Sequence, residues 1–423
     1  MNPNEVQTET GVELPSERLT SPSAADATVC VLGLGYIGLP TASLLGTRGR
    51  RVHGVDISPR VVETINRGEI HIVEPDLDVM VRGAVAAGQL TAAHEPVEAD
   101  VFLIAVPTPS RPDRSADLSA VEAAARAVLP FLRPGNLVIL ESTSPVGTTE
   151  ELVTTILAES GYTPGEDFHV AYCPERVLPG RILTELVEND RIVGGITPAS
   201  TEAAVAFYDS FVRGEVIPTD ARTAEMVKLT ENSFRDTNIA FANELSMICV
   251  ELGVSVWELI RLANRHPRVS ILNPGPGVGG HCIAVDPWFL VHGAPERSRL
   301  IRTAREVNDS KPDWVLERIL SRAGRMRDPV IACLGLAFKA DVDDLRESPA
   351  VDIVRRLVAE EVGEVLVCEP NIEASDEFTL VSQAEALERA DLVVVLVDHR
   401  PFRRIPREAL HEKVLIDTRG VFL

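Results

Sequence analysis

A chain of 423 residues is more than one ordinary core organises and implies two or three domains. Its 45% hydrophobic and 25% charged residues are the balance of a water-soluble globular protein, not of a disordered one. A formal net charge of -22 argues against non-specific binding to nucleic acid or to an anionic membrane surface, yet a few local arginines could still hold an anionic small molecule.

Residues 1–26 are rich in Ser, Thr, Pro and Glu and lack an apolar run, so they read as a disordered tail and not as a signal peptide. The uncharged stretch from Ala27 to Thr47 has the length of a membrane span. Four glycines and Pro40 lie inside it, however, and it divides better into a strand at Val29–Leu32, a glycine turn and a helix through Leu45. Further strands are expected at Arg51 to Asp56, Val101 to Ala105 and Leu137 to Leu140, with helical segments such as Ser119 to Leu132 between them. This alternation, from Thr28 to about Phe211, predicts a parallel, doubly wound sheet. From Arg222 to Ala263 the pattern becomes nearly continuous helix, broken at Gly253, and offers a spine and a dimer surface. A Pro/Gly-rich loop, Asn273 to Gly280, follows. Alternation returns after Pro329, with strands expected at Val330–Leu334, Val365–Cys368, Leu392–Val397 and Val414–Asp417. The fold class is therefore α/β, with two doubly wound Rossmann-like domains joined by a long central helical segment.

Gly33-Leu34-Gly35-Tyr36-Ile37-Gly38 follows the first strand and opens a helix. The first glycine permits the tight turn, the second lets a pyrophosphate approach the backbone, and the third lets helix and strand pack closely. Asp56 lies about 20 residues on, where a carboxylate accepts ribose hydroxyls and repels a 2′-phosphate, so NAD is favoured over NADP. Gly33, Gly35, Tyr36, Ile37, Gly38 and Asp56 are the expected cofactor contacts. Thr108 and Thr143 follow the next two strands and are candidates for the nicotinamide side, or else simple caps of the next helices.

The most unusual segment is Asn273-Pro-Gly-Pro-Gly-Val-Gly-Gly-His281-Cys282. Its glycines bring backbone close to something, and Asp286-Pro287 reads as the N-cap and first residue of a helix, a setting that favours a thiolate at Cys282. Taken singly, the cysteine also fits an inert core residue and Asp286 a plain cap. His281 is adjacent to Cys282 in sequence, so a Cys–His dyad is not expected. Lys228, Asn232 and Arg235 share one helix face, which would otherwise read as a solvated stripe. Only four of the 41 basic residues are lysines, and a lysine kept in a core helix suggests an amine that must lose a proton, which arginine cannot do. The six cysteines (30, 173, 249, 282, 333 and 368) have no paired spacing, so they read as reduced cytoplasmic thiols, and no metal site is expected.

Taken in order, these motifs resemble the UDP-glucose/UDP-N-acetylmannosamine dehydrogenase family over nearly the whole chain after the tail. The matching motifs are G-x-G-Y-I-G, Glu141-Ser-Thr-Ser-Pro-Val-Gly-Thr148, Tyr172-Cys-Pro-Glu-Arg-Val177, Lys228-x-x-x-Asn232, Gly279-Gly-His-Cys282, Gly335-Leu-Ala-Phe-Lys339 and Asp344-Leu-Arg-Glu-Ser-Pro349. Cys282-Ile-Ala-Val-Asp286, with Pro287-Trp288 after it and His266-Pro-Arg268 before the loop, is most similar to the UDP-N-acetyl-D-mannosamine branch.

The resemblance implies an NAD-binding domain over 27–215, a central helical and dimerisation region with the catalytic loop over 216–318, and a UDP-binding domain over 319–423. It also implies a four-electron oxidation of the sugar C6 hydroxyl. In it Lys228 is the acid/base and Cys282 the nucleophile that carries a thiohemiacetal and then a thioester. Asp286, and with it Glu175, would activate the hydrolytic water, and Asn232 would assist. Arg176, Val177, Lys228, Asn232, Arg235, Gly279 and Phe338 would hold the substrate, with Lys339 and Arg346 at its UDP end. His266 and Arg268 would reach in from a second subunit. UDP-N-acetylglucosamine or UDP-glucose oxidation is the nearest alternative. A two-electron hydroxyacid dehydrogenase and a non-catalytic NAD-binding protein are more distant ones.

Overall fold

The computed structural model describes residues 27–178, 180–280 and 282–422, so the expected tail and the reading of His281 lie outside the described residues. Contacts group the chain into two compact units. Among the described residues, one comprises 27–106, 123–141 and 153–221; the other comprises 107–122, 142–152 and 222–422.

The first unit is built on eight strands: β1 (Val29–Leu32), β2 (Val52–Val55), β3 (Leu90–Ala93), β4 (Val101–Ile104), β5 (Leu137–Leu140), β6 (His169–Tyr172), β7 (Arg191–Gly195) and β8 (Val216–Asp220). They lie in the order β3-β2-β1-β4-β5-β6-β7-β8. Every residue of β1, β4, β5 and β6 is buried, as expected where helices cover both faces of a sheet. The helix Gly38–Thr47 is buried from Gly38 through Gly46. It therefore has no polar stripe, which is why its sequence has the apolarity of a membrane span. No described helix is long and apolar enough to cross a membrane.

One pair departs from the expected parallel sheet: β7 runs antiparallel to β6, pairing Tyr172 with Gly194 and Ala171 with Gly195. The segment between them brings the chain back to the end of the sheet where β6 finishes, so β7 has to return. Both glycines are needed for close approach, since a Cβ on Gly194 would lie 2.2 Å from the Asp220 carbonyl oxygen and one on Gly195 2.3 Å from the Thr201 amide.

The longest stretch of the second unit opens in the 32-residue helix Ala221–Leu252. Gly253, at φ +69°, ends it. The helix Val256–Ala263 then opens on Ser255, whose side chain accepts from Glu258 N. Asp286–Gly293 and Arg299–Ala323 are the next helices. A buried polar ladder joins Arg299–Ala323 to Ala221–Leu252. Arg305 pairs with Asp236 at 2.5 Å, Asn308 Nδ2 donates to Asp236 Oδ1 at 2.8 Å, and Asn243 Nδ2 donates to Asn308 Oδ1 at 2.8 Å. The ladder ends on the glycine loop, where Gly275 N donates to Asn243 Oδ1 at 2.9 Å.

A second, all-parallel sheet completes this unit in the order β10-β9-β11-β12, from β9 (Val330–Leu334), β10 (Glu364–Cys368), β11 (Leu392–Val395) and β12 (Val414–Asp417). β11 stops two residues short of the expected Val397, because Leu396 N and Val397 N both turn to the Leu334 carbonyl, at 2.9 and 3.1 Å.

Candidate active site

The glycine turn after β1 separates two demands. A Cβ on Gly33 would lie 2.5 Å from the Ala105 carbonyl oxygen, and one on Gly38 would lie 1.8 Å from the Gly33 oxygen. These two glycines serve the packing of the turn itself. A Cβ on Gly35 would meet nothing within 4 Å, and this is the open face to which a diphosphate has access. Asp56 is fixed against the turn: Oδ2 accepts from Leu34 N at 3.1 Å and Oδ1 from Ser58 N at 2.9 Å. The carboxylate is thus oriented and keeps lone pairs for ribose hydroxyls. Tyr36 and Ile37 are half-buried beside it. Glycine cradle and oriented acid together fit NAD.

In the same unit Glu175 and Arg191 form a buried ion pair at 2.9 Å, and the other Glu175 oxygen accepts from Arg176 N at 2.7 Å. Both oxygens are thereby engaged, which holds Arg176 and Val177 in place. Glu74, also buried, accepts from Gly180 N at 2.8 Å and Ile182 N at 2.7 Å and pins the far end of that loop. Nothing in the sequence pattern had marked Glu74.

The second unit holds the loops that follow β4 and β5. Thr108 Oγ donates to the Thr143 carbonyl at 2.6 Å. Thr108 therefore ties one loop to the other and does not cap a helix.

The reactive side chains converge in this unit. Lys228, half-buried, and Asn232, buried, lie one turn apart on Ala221–Leu252. Asn232 Nδ2 donates at 2.5 Å to Oδ2 of Asp286, which is 2% exposed. Burial pushes the Asp286 carboxyl up to about 6, against the pull of the Asn232 bond and the Lys228 charge. Cys282 is solvent-accessible, yet the protein packed around its sulfur and then the Asp286 carboxylate raise the thiol above its ordinary value, with Lys228 pulling the other way.

This corrects the expectation of a helix-stabilised thiolate. The sulfur-bearing residue precedes the helix by four positions, and the amides of Val285 and Asp286 point to its carbonyl oxygen, at 3.0 and 2.9 Å. An acid in the first helical turn then opposes a second negative charge. Nor is Asp286 the N-cap. Val285 is, and Asp286 is the first helical residue with its side chain turned to Asn232.

The glycines of the loop fit against the segment that follows β9 at its carboxyl end. A Cβ on Gly279 would lie 2.3 Å from the Glu347 carbonyl oxygen, and one on Gly280 3.0 Å from the Phe338 ring. Phe338, Lys339, Gly277, Asp398 and Arg419 line a small cleft there. Arg419, held by Asp398 at 2.8 Å, had not been singled out, although it follows β12 at a strand's carboxyl end, where open α/β sheets bind ligands. Arg346 is exposed and fork-bonded to Asp344 at 2.9 and 2.7 Å. Arg235, His266 and Arg268 are exposed as well.

Models of one family cover this chain from end to end of the described fold. For the UDP-glucose/GDP-mannose dehydrogenase family, the NAD binding domain matches residues 27–212, the central domain 222–310 and the UDP binding domain 332–423. The chain belongs to that family. As a member it is an NAD-dependent nucleotide-sugar dehydrogenase. Family relatives include an NDP-N-acetyl-D-galactosaminuronic acid dehydrogenase from Ralstonia nicotianae, 61% identical over 93% of this chain and 96% of the relative. They also include the UDP-N-acetyl-D-mannosamine dehydrogenase of Escherichia coli strain K12, 54% identical over 94% and 99%. Among solved structures, a UDP-N-acetyl-mannosamine dehydrogenase from S. aureus superposes with a TM-score of 0.87 at 44% identity, covering 93% of this chain and 95% of that one.

Proposed function

We propose that this enzyme oxidises the C6 hydroxyl of a UDP-N-acetylhexosamine to the carboxylate in four electrons, with UDP-N-acetyl-D-mannosamine as the preferred substrate. The observation that carries the reading is the convergence of Cys282, Lys228, Asn232 and Asp286 in one electrostatic cluster.

NAD, held by the Gly33–Gly38 turn and Asp56, would supply the hydride acceptor for each of the two oxidations. Lys228 takes the proton of the C6 hydroxyl as the aldehyde forms. The Cys282 sulfur then adds to the aldehyde carbon, its proton passes to Asp286, and the new oxyanion is protonated by Lys228. The resulting thiohemiacetal keeps the half-oxidised sugar tethered until the second oxidation converts it to a thioester, Lys228 again taking the hydroxyl proton. Asp286, which has passed the thiol proton on to solvent and is ionised above about pH 6, then takes a proton from water. The hydroxide attacks the acyl carbon, the carbon–sulfur bond breaks, the Cys282 thiolate regains a proton from Asp286, and the product acid loses its proton to solvent and leaves as the carboxylate.

Gly33, Gly35, Tyr36, Ile37, Gly38 and Asp56 are the proposed cofactor contacts, with Thr108 and Thr143 at the nicotinamide. Arg176, Val177, Asn232 and Arg235 are proposed to hold the sugar, and Phe338, Lys339, Arg346 and the Gly279 loop to hold the UDP. Because its charge is matched by Arg191, Glu175 is assigned to holding Arg176 in place, leaving proton transfer to Asp286. His266 and Arg268 are proposed to serve the neighbouring active site of a homodimer. Exposed Phe234, Phe241, Ile248 and Leu252 on the long helix support a second copy as the covering partner. Six free cysteines support a cytoplasmic enzyme.

The 61% relative, whose name specifies a galacto acid, favours UDP-N-acetylgalactosamine as a second reading. Comparing kcat/KM on the UDP forms of N-acetylmannosamine, N-acetylgalactosamine, N-acetylglucosamine and glucose decides between them. The manno form is expected to lead. Negligible turnover of it would overturn the assignment.

A further inference from the structure

The long helix carries an acid that the mechanism above does not use. Glu225 is fully buried, three residues before Lys228 and on the same helix face. Its carboxylate takes three donors from a single segment. Oε2 accepts from Gly147 N at 2.5 Å, while Oε1 accepts from Thr149 N at 2.8 Å and Thr149 Oγ at 2.7 Å. One turn earlier Arg222 grips the same segment from outside, pairing with Glu150 at 2.6 Å and Glu151 at 2.5 Å.

That segment is the continuation of the loop bearing Thr143. Its own bonds stiffen it: Ser144 Oγ donates to Ser142 O at 3.0 Å, and Thr148 Oγ to Pro145 O at 2.7 Å. Gly147 makes the turn at φ +96°, with the Glu151 carboxylate 3.0 Å from where a Cβ would be. Through the Thr143 carbonyl the loop also holds Thr108. Thr108 is therefore tied to the Ser142–Thr149 loop by one hydrogen bond, and the backbone of that loop leads on to the bonds that hold it to Glu225 and the helix of Lys228.

We propose that Glu225 is a positioning residue for hydride transfer: it holds the nicotinamide-side loop in register with the proton-transferring lysine. The inference rests on the roles given to Thr143 and Lys228 above. A carboxylate suits the task because it is acceptor-only and can serve two backbone amides and a hydroxyl without offering a hydrogen. Glutamine cannot, since its NH2 would face one of those N–H groups and leave a buried donor unpaired. Burial raises the Glu225 carboxyl, which the three donors offset in part.

The test is steady-state kinetics of Glu225→Gln and Thr149→Val on the full-length enzyme, with NAD and the UDP sugar varied separately. Loss of one buried bond with an orphaned donor predicts that Glu225→Gln lowers kcat by about 30-fold and raises the KM for NAD by about 10-fold. The KM for the UDP sugar stays within about twofold, and so does the rate at which iodoacetamide alkylates Cys282, which a general loosening would change. Thr149→Val, nearly isosteric, moves the same two constants by about threefold in the same direction. Wild-type values for NAD in either folded variant overturn the proposal. So does an equal rise in both KM values accompanied by altered alkylation. If Glu225→Gln fails to fold, Thr149→Val decides alone. Lys228→Met separates the layers: wild-type kcat in that variant sinks the acid/base reading, whereas the Glu225 result reports on the loop.

Discussion

Replacing Lys311 by methionine should remove a pH dependence that the wild type's stability carries. Lys311 is 2% exposed and has no acidic partner among the described residues. Its Nζ donates to Ser246 Oγ at 2.5 Å and Asn243 O at 3.4 Å and lies 3.9 Å from the Trp314 ring centroid. Burial, and then the Arg318 charge, pull the amine from 10.5 down to about 7. In the unfolded chain the amine stays protonated to its ordinary value, so between about pH 7 and 10.5 the unfolded state binds more protons and stability rises with pH. Below pH 7 the cost is fully present. At about 1.4 kcal/mol per unit it amounts to roughly 5 kcal/mol as an upper figure. Methionine abolishes that cost but strands two acceptors, at about 1 kcal/mol each. The variant should therefore be more stable than wild type by about 3 kcal/mol at pH 6.5 and less stable by about 2 kcal/mol above pH 10.5. Urea unfolding at five pH values measures the difference. A difference that does not vary with pH would show that Lys311 is not a buried, nearly neutral amine, and would refute the reasoning.

Asn232→Leu removes the hydrogen bond that steadies the ionised form of Asp286. The acid limb of kcat should then move to higher pH by about one unit, read from a pH–rate profile; an unmoved limb would separate Asp286 from hydrolysis. Gly35→Ala should fold normally, because its Cβ meets nothing within 4 Å, yet raise the KM for NAD by about 10-fold by filling the face left open for the diphosphate. Gly38→Ala should instead lower the melting temperature, since its Cβ would fall 1.8 Å from a carbonyl oxygen. Wild-type KM for NAD in the first variant, or unchanged melting in the second, would contradict these roles.

What could be read from the sequence was what depends on local pattern. Apolar runs located β1, β4, β5, β9 and β11, because buried strands leave continuous hydrophobic stretches, and the shorter apolar cores of β2, β10 and β12 sufficed to place those less buried strands. β3, β6, β7 and β8 were not delineated. β8, with Pro218 and Asp220 in it, looks like a loop and becomes a strand only by pairing with β7. Lys228, Asn232, Asp286 and Cys282 were found because their residue types and spacing are unusual. The state of the thiol was not, since it depends on burial and on the Asp286 charge, which only tertiary packing sets. The same holds for Glu74 and Glu225, whose partners lie 106 and 78 residues away in sequence, and for Arg419, which donates to the Pro274 carbonyl 145 residues away as well as to Asp398.

The central claim is that Cys282 keeps the half-oxidised sugar bound between two oxidations. The most direct measurement is the amount of NADH formed from a limiting quantity of UDP-N-acetylmannosamine, by the wild type and by Cys282→Ala. The account predicts about two NADH per sugar and the carboxylate for the wild type, and at most about one, with no carboxylate, for the variant. One NADH per sugar from the wild type, or two from the variant, would contradict it.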